Sequence, residues 1–323
     1  MTRILITGVN GFAGSHLARL LCKENKYEIF GIVSLNGELN LIKDLLNDIF
    51  IKSLDILDEK SLHDFIKLAS PQYIYHFAAK ISTQQSLENP VDIYKTNVWG
   101  TYNLLEAVKR INIRSKILIA SSSHVYGNVS KTTLPITEDF PLKPITPYGV
   151  SKVVQELLAY QYAYNNEMLQ VVVSRAFNST GPGEKEYLVC SSIAKQIARI
   201  ERGIADPVIF VGDLTCKRDI IDIRDMVKAY HILATIDNGC KGDIYNICRG
   251  ESYSIKDLMG ILLTFSNKKN IVIKSDSSHM KKNDIRDQYG SNQKLKMLCG
   301  WQPSIPIEQT LFDLLEYWRN KEG

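Results

Sequence analysis

The sequence predicts an α/β fold: a Rossmann-like, doubly wound parallel sheet with a smaller, discontinuous C-terminal domain. Two observations lead to this prediction. First, short and almost wholly apolar segments alternate with longer amphipathic ones up to residue 178, which is typical of parallel strands buried on both faces and connected by helices. Second, a glycine-rich turn joins the first apolar segment to the first amphipathic one, as in sheets that bind dinucleotides.

The individual elements follow from the spacing of apolar residues. We predict strands at 3–7, 28–33, 51–54, 73–77, 116–120 and 169–174, and helices after the glycine turn and at about 58–69, 91–111 and 148–164. Beyond residue 178, helices near 191–202, 225–235 and 254–265 mix with short strands near 208–211 and 243–247. We therefore expect a dinucleotide-binding domain over 1–178, with return segments near 212–248, and a discontinuous substrate domain in most of 179–323.

Composition excludes several classes of protein. The 323 residues are 45% hydrophobic and 23% charged, as expected for a folded chain with a sizeable core. A net charge of +4 without a long charge run argues against binding to nucleic acid or a membrane surface. The pattern of an export signal or a membrane-spanning segment is missing, and the scattered cysteines and histidines lack metal-ligand spacing. We expect a cytoplasmic protein with reduced thiols and no metal.

The glycine-rich turn has the pattern GxxGxxG between a strand and a helix. Gly8 permits a tight turn, Gly11 lets the backbone approach a diphosphate, and Gly14 lets the helix pack close to the sheet. The diphosphate would bind N–H groups at the start of the helix, where the helix dipole favours negative charge. The predicted dinucleotide contacts here are Gly8, Asn10, Gly11, Phe12 and Ala13.

The end of the second strand indicates which cofactor binds. An acid there would bind the ribose diol of NAD, whereas a cation would accommodate the phosphate of NADP. The segment offers only the neutral Ser34 and Asn36. The missing acid favours NADP, with NAD as the alternative. Asp55 and Ile56 follow the third strand; Asp55 lies either near the adenine or in a capping turn of its own loop.

A tyrosine and a lysine stand four residues apart at the start of a predicted helix. Tyr148 and Lys152 would therefore share one helical face. We expect the ammonium to lower the pKa of the phenol towards neutral pH, which would let Tyr148 exchange a proton with a sugar hydroxyl. Serines 121–123 directly follow the fifth strand, at the edge where such sheets hold their ligands. A serine there could hydrogen-bond the reacting oxygen, or the serines could simply form a polar loop.

These motifs resemble the extended short-chain dehydrogenase/reductase superfamily, whose members modify nucleotide-diphosphate sugars. The resemblance covers essentially the whole chain and includes the glycine turn, His76–Ala79, Asn97, the serines, Tyr148 with Lys152, and Arg175–Asn178. Within the superfamily, the chain is most similar to GDP-mannose 4,6-dehydratases and GDP-4-keto-6-deoxy-mannose reductases. The Gly181–Gly183 segment matches the reductases better.

The resemblance implies roles for further residues. Ser122, Tyr148 and Lys152 would be the catalytic triad. The cofactor would contact Ala78, Ala79, Lys80, Asn97 and the backbone near Phe177, in addition to Tyr148 and Lys152. The substrate would contact Thr83, Asn178, Val189, Arg218 and Arg286, with Asn178 and Arg218 on its diphosphate. The resemblance also implies a homodimer through a four-helix bundle of helices 91–111 and 148–164, with a tetramer as the alternative.

Two residues after the triad serine bear on the reaction. Dehydratases of this branch take a base and an acid for water loss from these positions, which are Ser123 and His124 here. His124 departs from the glutamate expected at the second position, but a neutral imidazole is a competent base near pH 7. On this ground we favour a GDP-hexose 4,6-dehydratase. A GDP-4-keto-6-deoxy-hexose reductase, which needs no such base, is the alternative; a 4-epimerase and a non-catalytic binding protein are less favoured.

Overall fold

The structure is a computed structural model that describes residues 1–81, 83–236, 241–276 and 286–322, with the backbone alone at 83–85. The chain forms two compact units. The first comprises residues 1–128, 138–176 and 227–247, and the second comprises 129–137, 177–226 and 248–323. Of the predicted return segment near 212–248, residues 227–247 thus group with the first unit. The assignment of cofactor and substrate to separate domains stays a prediction.

A parallel sheet forms the centre of the first unit and confirms the predicted fold class. Its strand order is β11-β6-β5-β4-β1-β2-β3. The strands are β1 (Thr2–Thr7), β2 (Tyr27–Val33), β3 (Ile49–Ser53), β4 (Tyr73–His76), β5 (Ser115–Ser122), β6 (Leu169–Ala176) and β11 (Lys241–Ile247). The segments Ile4–Ile6, Ile117–Ile119 and Val171–Val173 are fully buried, as expected for strands covered on both faces.

Helices connect these strands. They are α1 (Phe12–Lys23), α2 (Glu59–Ala69), α3 (Thr83–Glu88), α4 (Pro90–Tyr94), α5 (Gly100–Ile111), α6 (Pro147–Asn165) and α8 (Ile223–Thr235). At the start of α6, the Thr146 hydroxyl accepts a hydrogen bond from the Gly149 N–H, and Pro147 occupies the first turn. This N-terminal cap fixes where the helix begins and therefore places Tyr148 in its first turn.

The helix predicted at 91–111 is confirmed, since residues 90–111 are helical throughout, but a π-helical turn at Lys95–Trp99, which the sequence did not predict, lies between α4 and α5. The side chain of Asn97, within that turn, accepts a hydrogen bond from Lys80 N–H at 2.8 Å. It also donates to the Lys80 carbonyl at 3.0 Å and to Ser151 Oγ at 2.9 Å. These three bonds stabilise a local geometry that apolar spacing alone does not indicate.

The second unit combines small sheets with helices. Its strands are β7 (Asn178–Thr180), β8 (Val208–Val211), β9 (Lys217–Arg218), β10 (Ile220–Asp222), β12 (Tyr253–Ser254) and β13 (Val272–Ser275). They pair as β7 with β10 and β8 with β13 in parallel, and β9 with β12 antiparallel. The helices are α7 (Val189–Glu201), α9 (Ile255–Thr264), α10 (Gln293–Cys299) and α11 (Ile307–Lys321). In the residues described, none of the helices has the length and apolarity needed to cross a membrane.

Candidate active site

The glycine turn follows β1 and packs tightly on its neighbours. Gly8 has a φ of +72°, and its N–H donates to the Ile32 carbonyl at 2.8 Å. A Cβ atom at Gly8 would lie 3.0 Å from the Ala78 nitrogen. A Cβ atom at Gly14 would lie only 2.2 Å from the Gly8 carbonyl oxygen. Side chains at these positions would therefore push α1 and β4 away from the turn.

The start of α1 has the properties of an anion site. Its N-cap is Gly11, which supplies no side-chain hydrogen bond, and its first turn contains no acidic residue. The first backbone N–H groups of a helix lack intrahelical partners and attract negative charge. Because glycines leave space at this turn, the start of α1 fits the diphosphate of a dinucleotide, which would meet the backbone N–H groups of Phe12 and Ala13.

Further residues predicted to contact the cofactor lie in the glycine turn and in the loops beyond β2 and β3. Asn10 Nδ2 donates to the Glu38 carbonyl at 2.9 Å, and Ser34 begins a turn that its carbonyl closes with the Gly37 N–H at 2.9 Å. Asp55 Oδ1 accepts from the Leu57 N–H at 2.9 Å, so the carboxylate stabilises its own loop. Ile56 is buried. Contacts of these residues with an adenosine stay predictions.

The proposed triad comes together at the carboxyl end of β5. Tyr148 and Lys152 lie on one face of α6 and are both buried, and the Lys152 ammonium lies 5.7 Å from the centre of the Tyr148 ring. Lys152 Nζ donates to the Ala120 carbonyl at 2.7 Å. The Ser122 hydroxyl accepts from the His124 N–H at 3.3 Å and also hydrogen-bonds Tyr148. Ser122, Tyr148 and Lys152 are therefore neighbours, as predicted.

The protonation of Tyr148 differs from the expectation. Burial raises its pKa to about 12, and the hydrogen bond from Ser122 opposes that rise only in part. Burial also lowers the pKa of Lys152 to about 7, against the attraction of Glu156. The expected lowering of the tyrosine pKa by the lysine is thus wrong for this structure, because desolvation penalises both charges. Tyr148 is a protonated phenol near neutral pH.

The two residues after the triad serine occupy a short 3-10 turn, Ser123–Val125. Ser123 is buried, whereas His124 is partly exposed and its ring meets the Tyr148 ring edge-on, with centroids 5.5 Å apart. The imidazole is therefore placed beside the reacting phenol, as its proposed role in proton transfer requires.

The segment after β4 is connected to the glycine turn. Thr7 Oγ1 lies 2.9 Å from Nδ1 of the buried His76 and accepts from the Ala78 N–H at 3.1 Å. His76 Nε2 lies 2.9 Å from Thr101 Oγ1. Burial, followed by the charge of Lys152, lowers the pKa of His76 to about 3, so the imidazole is neutral. Ala79 and Lys80 follow this segment, and Lys80 forms an ion pair with Asp92.

A buried ion pair near the triad was not predicted from the sequence. Glu156 lies one helical turn beyond Lys152, and its Oε2 is 2.8 Å from Nη2 of Arg175 on β6. Glu156 also accepts a hydrogen bond from Ser121, the residue before the triad serine. The spacing of four residues between Lys152 and Glu156 is visible in the sequence, but it does not show that the carboxylate is buried.

The predicted substrate residues belong mostly to the second unit. Asn178 begins β7, Val189 begins α7 and Arg218 ends β9, where its Nη1 donates to the Lys217 carbonyl at 2.7 Å. The Arg286 carbonyl accepts from the Lys217 N–H at 2.8 Å, which places Arg286 next to β9. Phe177 precedes β7 and is buried. The side chain of Thr83 lies outside the described residues.

Asp219, which follows Arg218, is another buried acid, to which the sequence assigned no role. Its carboxylate accepts from the backbone N–H groups of Arg249 at 2.7 Å, Gly250 at 3.0 Å and Gly290 at 3.2 Å. Burial raises the pKa of Asp219 to about 7 in spite of these bonds. The side chain thereby connects three separate segments beside Arg218.

Comparison with known proteins establishes the family. A family model described as GDP-mannose 4,6 dehydratase matches residues 5–314. The chain belongs to this family. The predicted resemblance is thereby confirmed, and the chain is an enzyme of the superfamily that modifies nucleotide sugars.

Three similar proteins illustrate the range of reactions. The GDP-6-deoxy-D-mannose reductase of Pseudomonas aeruginosa is 31% identical over 320 residues, or 99% of this chain and 98% of the relative. The solved structure of RMD from Pseudomonas aeruginosa complexed with NADPH has a TM-score of 0.84 at 30% identity, covering 99% of this chain and 100% of that one. The dTDP-glucose 4,6-dehydratase (rfbB) of Bacillus anthracis in complex with NAD has a TM-score of 0.84 at 26% identity, covering 100% and 98%. Membership of the GDP-mannose 4,6-dehydratase family therefore leaves the specific reaction open.

Proposed function

We propose that this protein is an NADPH-dependent reductase of a GDP-4-keto-6-deoxy-hexose. The observation that carries the proposal is the similarity to a GDP-6-deoxy-D-mannose reductase, which is 31% identical over 99% of this chain. The Tyr148 phenol, whose pKa burial raises to about 12, agrees with it. A reductase needs a proton donor at the sugar C4 oxygen, whereas the first step of a dehydratase needs a base there. The site therefore suits reduction better than oxidation.

Each residue of the triad would have its own role in the reduction. NADPH, when bound, supplies the hydride for the C4 carbon. Ser122 would donate a hydrogen bond to the C4 oxygen and orient the ketone beside Tyr148. Tyr148 would transfer its phenolic proton to that oxygen as negative charge develops, giving the alcohol. Lys152 would then favour the phenolate that remains, and proton uptake from solvent would restore the phenol.

Two features support NADPH as the cofactor, with NAD as the alternative. The end of β2 has no acid where NAD enzymes bind the ribose diol; its polar residues there include Ser34. The RMD structure that resembles this chain was solved with NADPH. A reductase consumes its reduced cofactor, which agrees with this choice.

The choice of a GDP-linked substrate rests on the family and on the reductase relative at 31% identity. We propose that Asn178, Arg218 and Arg286 hold the diphosphate, since guanidinium groups bind phosphate oxygens in a bidentate manner. Val189 and Thr83 are proposed to face the sugar.

The experiment is a comparison of two substrates by mass spectrometry. GDP-4-keto-6-deoxy-mannose with NADPH should gain two hydrogens while the reduced nicotinamide absorbance disappears. GDP-mannose without added reductant should remain unchanged. If the keto sugar persists while NADPH is stable, the reductase proposal is refuted. NADH in place of NADPH tests the cofactor preference in the same assay.

A second candidate is the GDP-hexose 4,6-dehydratase that the sequence favoured. The specific observation in its favour is the position of His124, whose ring lies 5.5 Å from that of Tyr148. Loss of one water from GDP-mannose, with solvent deuterium appearing at C5, would support this candidate. His124→Ala should then block water loss, whereas a reductase should retain most of its turnover.

We also propose that the protein is a homodimer formed through α5 and α6. Both helices expose large apolar side chains: Tyr102 on α5, and Val150, Leu157, Tyr160 and Tyr164 on α6. Leu157 is 61% exposed and Tyr164 is 72% exposed, which is unusual for the central helix of a folded unit. A second copy of the same helices would cover these residues. A tetramer stays the alternative assembly.

A further inference from the structure

The segment from Ser121 to Tyr126, which begins in the last two residues of β5, is held at both of its ends by one buried ion pair. At its start, the Ser121 hydroxyl donates to a carboxylate oxygen of Glu156. At its end, the Tyr126 hydroxyl accepts from Arg175 Nη1 at 3.1 Å and donates to Asn246 Oδ1 at 2.7 Å. Ser122 and His124 lie between these two attachment points.

The ion pair itself is strongly constrained. Arg175 Nε lies 3.0 Å from Glu156 Oε1 and Nη2 lies 2.8 Å from Oε2, so the contact is bidentate. Glu156 is 4% exposed and Arg175 is 3% exposed. Arg175 also pairs in register with Ser121 across β5 and β6, which brings both onto the same side of the sheet. A buried bidentate pair of this kind fixes geometry more than it contributes stability.

The same carboxylate lies one helical turn from Lys152. The Glu156 carboxylate thus lies near two cations: Lys152, one helical turn away, and Arg175, its ion-pair partner. The titratable groups that interact with Lys152 are Tyr148 and Glu156 on α6 and His76 on β4. Further titratable groups interact with these in turn: His124 and Tyr230 with Tyr148, Arg175 with Glu156, and Tyr126 with Arg175. Glu156 is the carboxylate among them, and its charge is the one that favours the Lys152 ammonium.

We propose that Glu156 is a positioning residue for catalysis, which holds the Ser121–Tyr126 segment against α6 and keeps the Lys152 ammonium charged. The functional part of this inference rests on the proposed reductase activity. Its electrostatic part concerns the folded protein alone and can be tested without turnover.

The test uses Glu156→Gln, which keeps a hydrogen-bond acceptor for Ser121 but removes the charge. Carbon-13 NMR of labelled lysine side chains follows the titration of Lys152, whose signal is identified by its loss in Lys152→Met. Wild-type Lys152 should titrate near pH 7, far below an ordinary lysine at about 10.4. In Glu156→Gln the midpoint should fall by at least about one pH unit, because a unit charge one helical turn away is lost.

Two controls separate charge from structure. Glu167→Gln makes the same substitution at an exposed position just beyond α6 and should leave the midpoint unchanged. Arg175→Gln removes the cation that shares the Glu156 carboxylate, so the whole of that charge would act on Lys152 and should raise the midpoint. An unchanged midpoint in Glu156→Gln would overturn the proposal. If that variant does not fold because Arg175 loses its counter-charge, then an unchanged or lowered midpoint in Arg175→Gln overturns it.

Activity tests the positioning role. Ser121→Ala keeps the charge but removes the attachment of the segment, so kcat should fall severalfold while the Lys152 midpoint and the KM for NADPH stay the same. In Glu156→Gln the alkaline limb of the pH–kcat profile should move to lower pH together with the midpoint. An unaltered kcat in Ser121→Ala would overturn the claim that Glu156 supports catalysis by holding the Ser121–Tyr126 segment. A wild-type enzyme that turns over no nucleotide sugar would refute the proposed function and leave the NMR result standing.

Discussion

The buried histidine of β4 should make the protein sensitive to acid. His76 is 2% exposed, and its nitrogens lie 2.9 Å from the hydroxyls of Thr7 and Thr101. Thr7 Oγ1 accepts from the Ala78 N–H, so its own proton can be donated to Nδ1. Nε2 then carries the imidazole proton. A second proton on His76 would remove the acceptor that Thr7 uses.

The size of the effect follows from proton linkage. The pKa of His76 is about 3 in the folded state and about 6.5 in an unfolded chain. Between these values the unfolded state binds one more proton, so stability falls as the pH decreases through this window. The slope is half its full value of about 1.4 kcal/mol per pH unit at pH 6.5 and approaches that value towards pH 5. Integrated from pH 7.5 to pH 5, the loss is about 2 kcal/mol.

The assay is urea unfolding at pH 7.5 and pH 5 for the wild type and for His76→Gln. Glutamine has no titration in this range, so the variant should lose about 2 kcal/mol less of its unfolding free energy on acidification than the wild type does. His63→Gln, at a partly exposed position on α2, is the matched control and should behave like the wild type. Equal losses in His76→Gln and the wild type would refute a buried, neutral His76.

Three further predictions concern the cofactor, the chemistry and the assembly. Gly14→Ala should weaken NADPH binding about tenfold to a hundredfold by fluorescence titration, because the new Cβ would meet the Gly8 carbonyl at 2.2 Å; Gly260→Ala, whose Cβ meets nothing within 4 Å, should bind normally. Tyr148→Phe should reduce kcat by about 10²- to 10⁴-fold with NADPH affinity retained, and retained turnover would contradict its role as proton donor. Leu157→Glu, at a side chain 61% exposed, should give a monomer by light scattering, and a dimer that persists would exclude the α6 interface.

Local sequence patterns were sufficient for the central sheet and for the glycine turn. Buried parallel strands require continuous apolar segments, and the turn requires glycines wherever backbone atoms approach closely, so both requirements are visible in the sequence. The pairing of Tyr148 with Lys152 was likewise predictable, since the helical period places residues four apart on one face. The π turn within the helix predicted at 91–111 was not predictable, because the side-chain bonds of Asn97, not apolar spacing, stabilise it.

The second unit shows a different limit. Helix α11 was not predicted, although Ile307, Leu311, Leu314 and Trp318 recur at helical spacing and are buried. That spacing was a usable signal. In contrast, the two-stranded sheets of this unit consist of strands that are only two to four residues long. Of these, β8 was predicted at 208–211, whereas strands of only two or three residues carry too few side chains for a pattern to emerge.

The protonation states at the site could not be predicted from residue spacing, because they depend on burial. The sequence indicated that Lys152 would lower the pKa of Tyr148, yet both groups are desolvated and each is shifted towards its neutral form. The motif of Tyr148 and Lys152 is present as predicted, but the protonation state of the tyrosine differs, and with it the reaction that the motif favours. A phenolate would favour oxidation at C4, whereas a phenol favours protonation of a C4 ketone. Glu156 opposes the loss of the Lys152 charge, and a charged lysine favours the phenolate form of Tyr148. The balance between phenol and phenolate therefore depends on a carboxylate outside the triad.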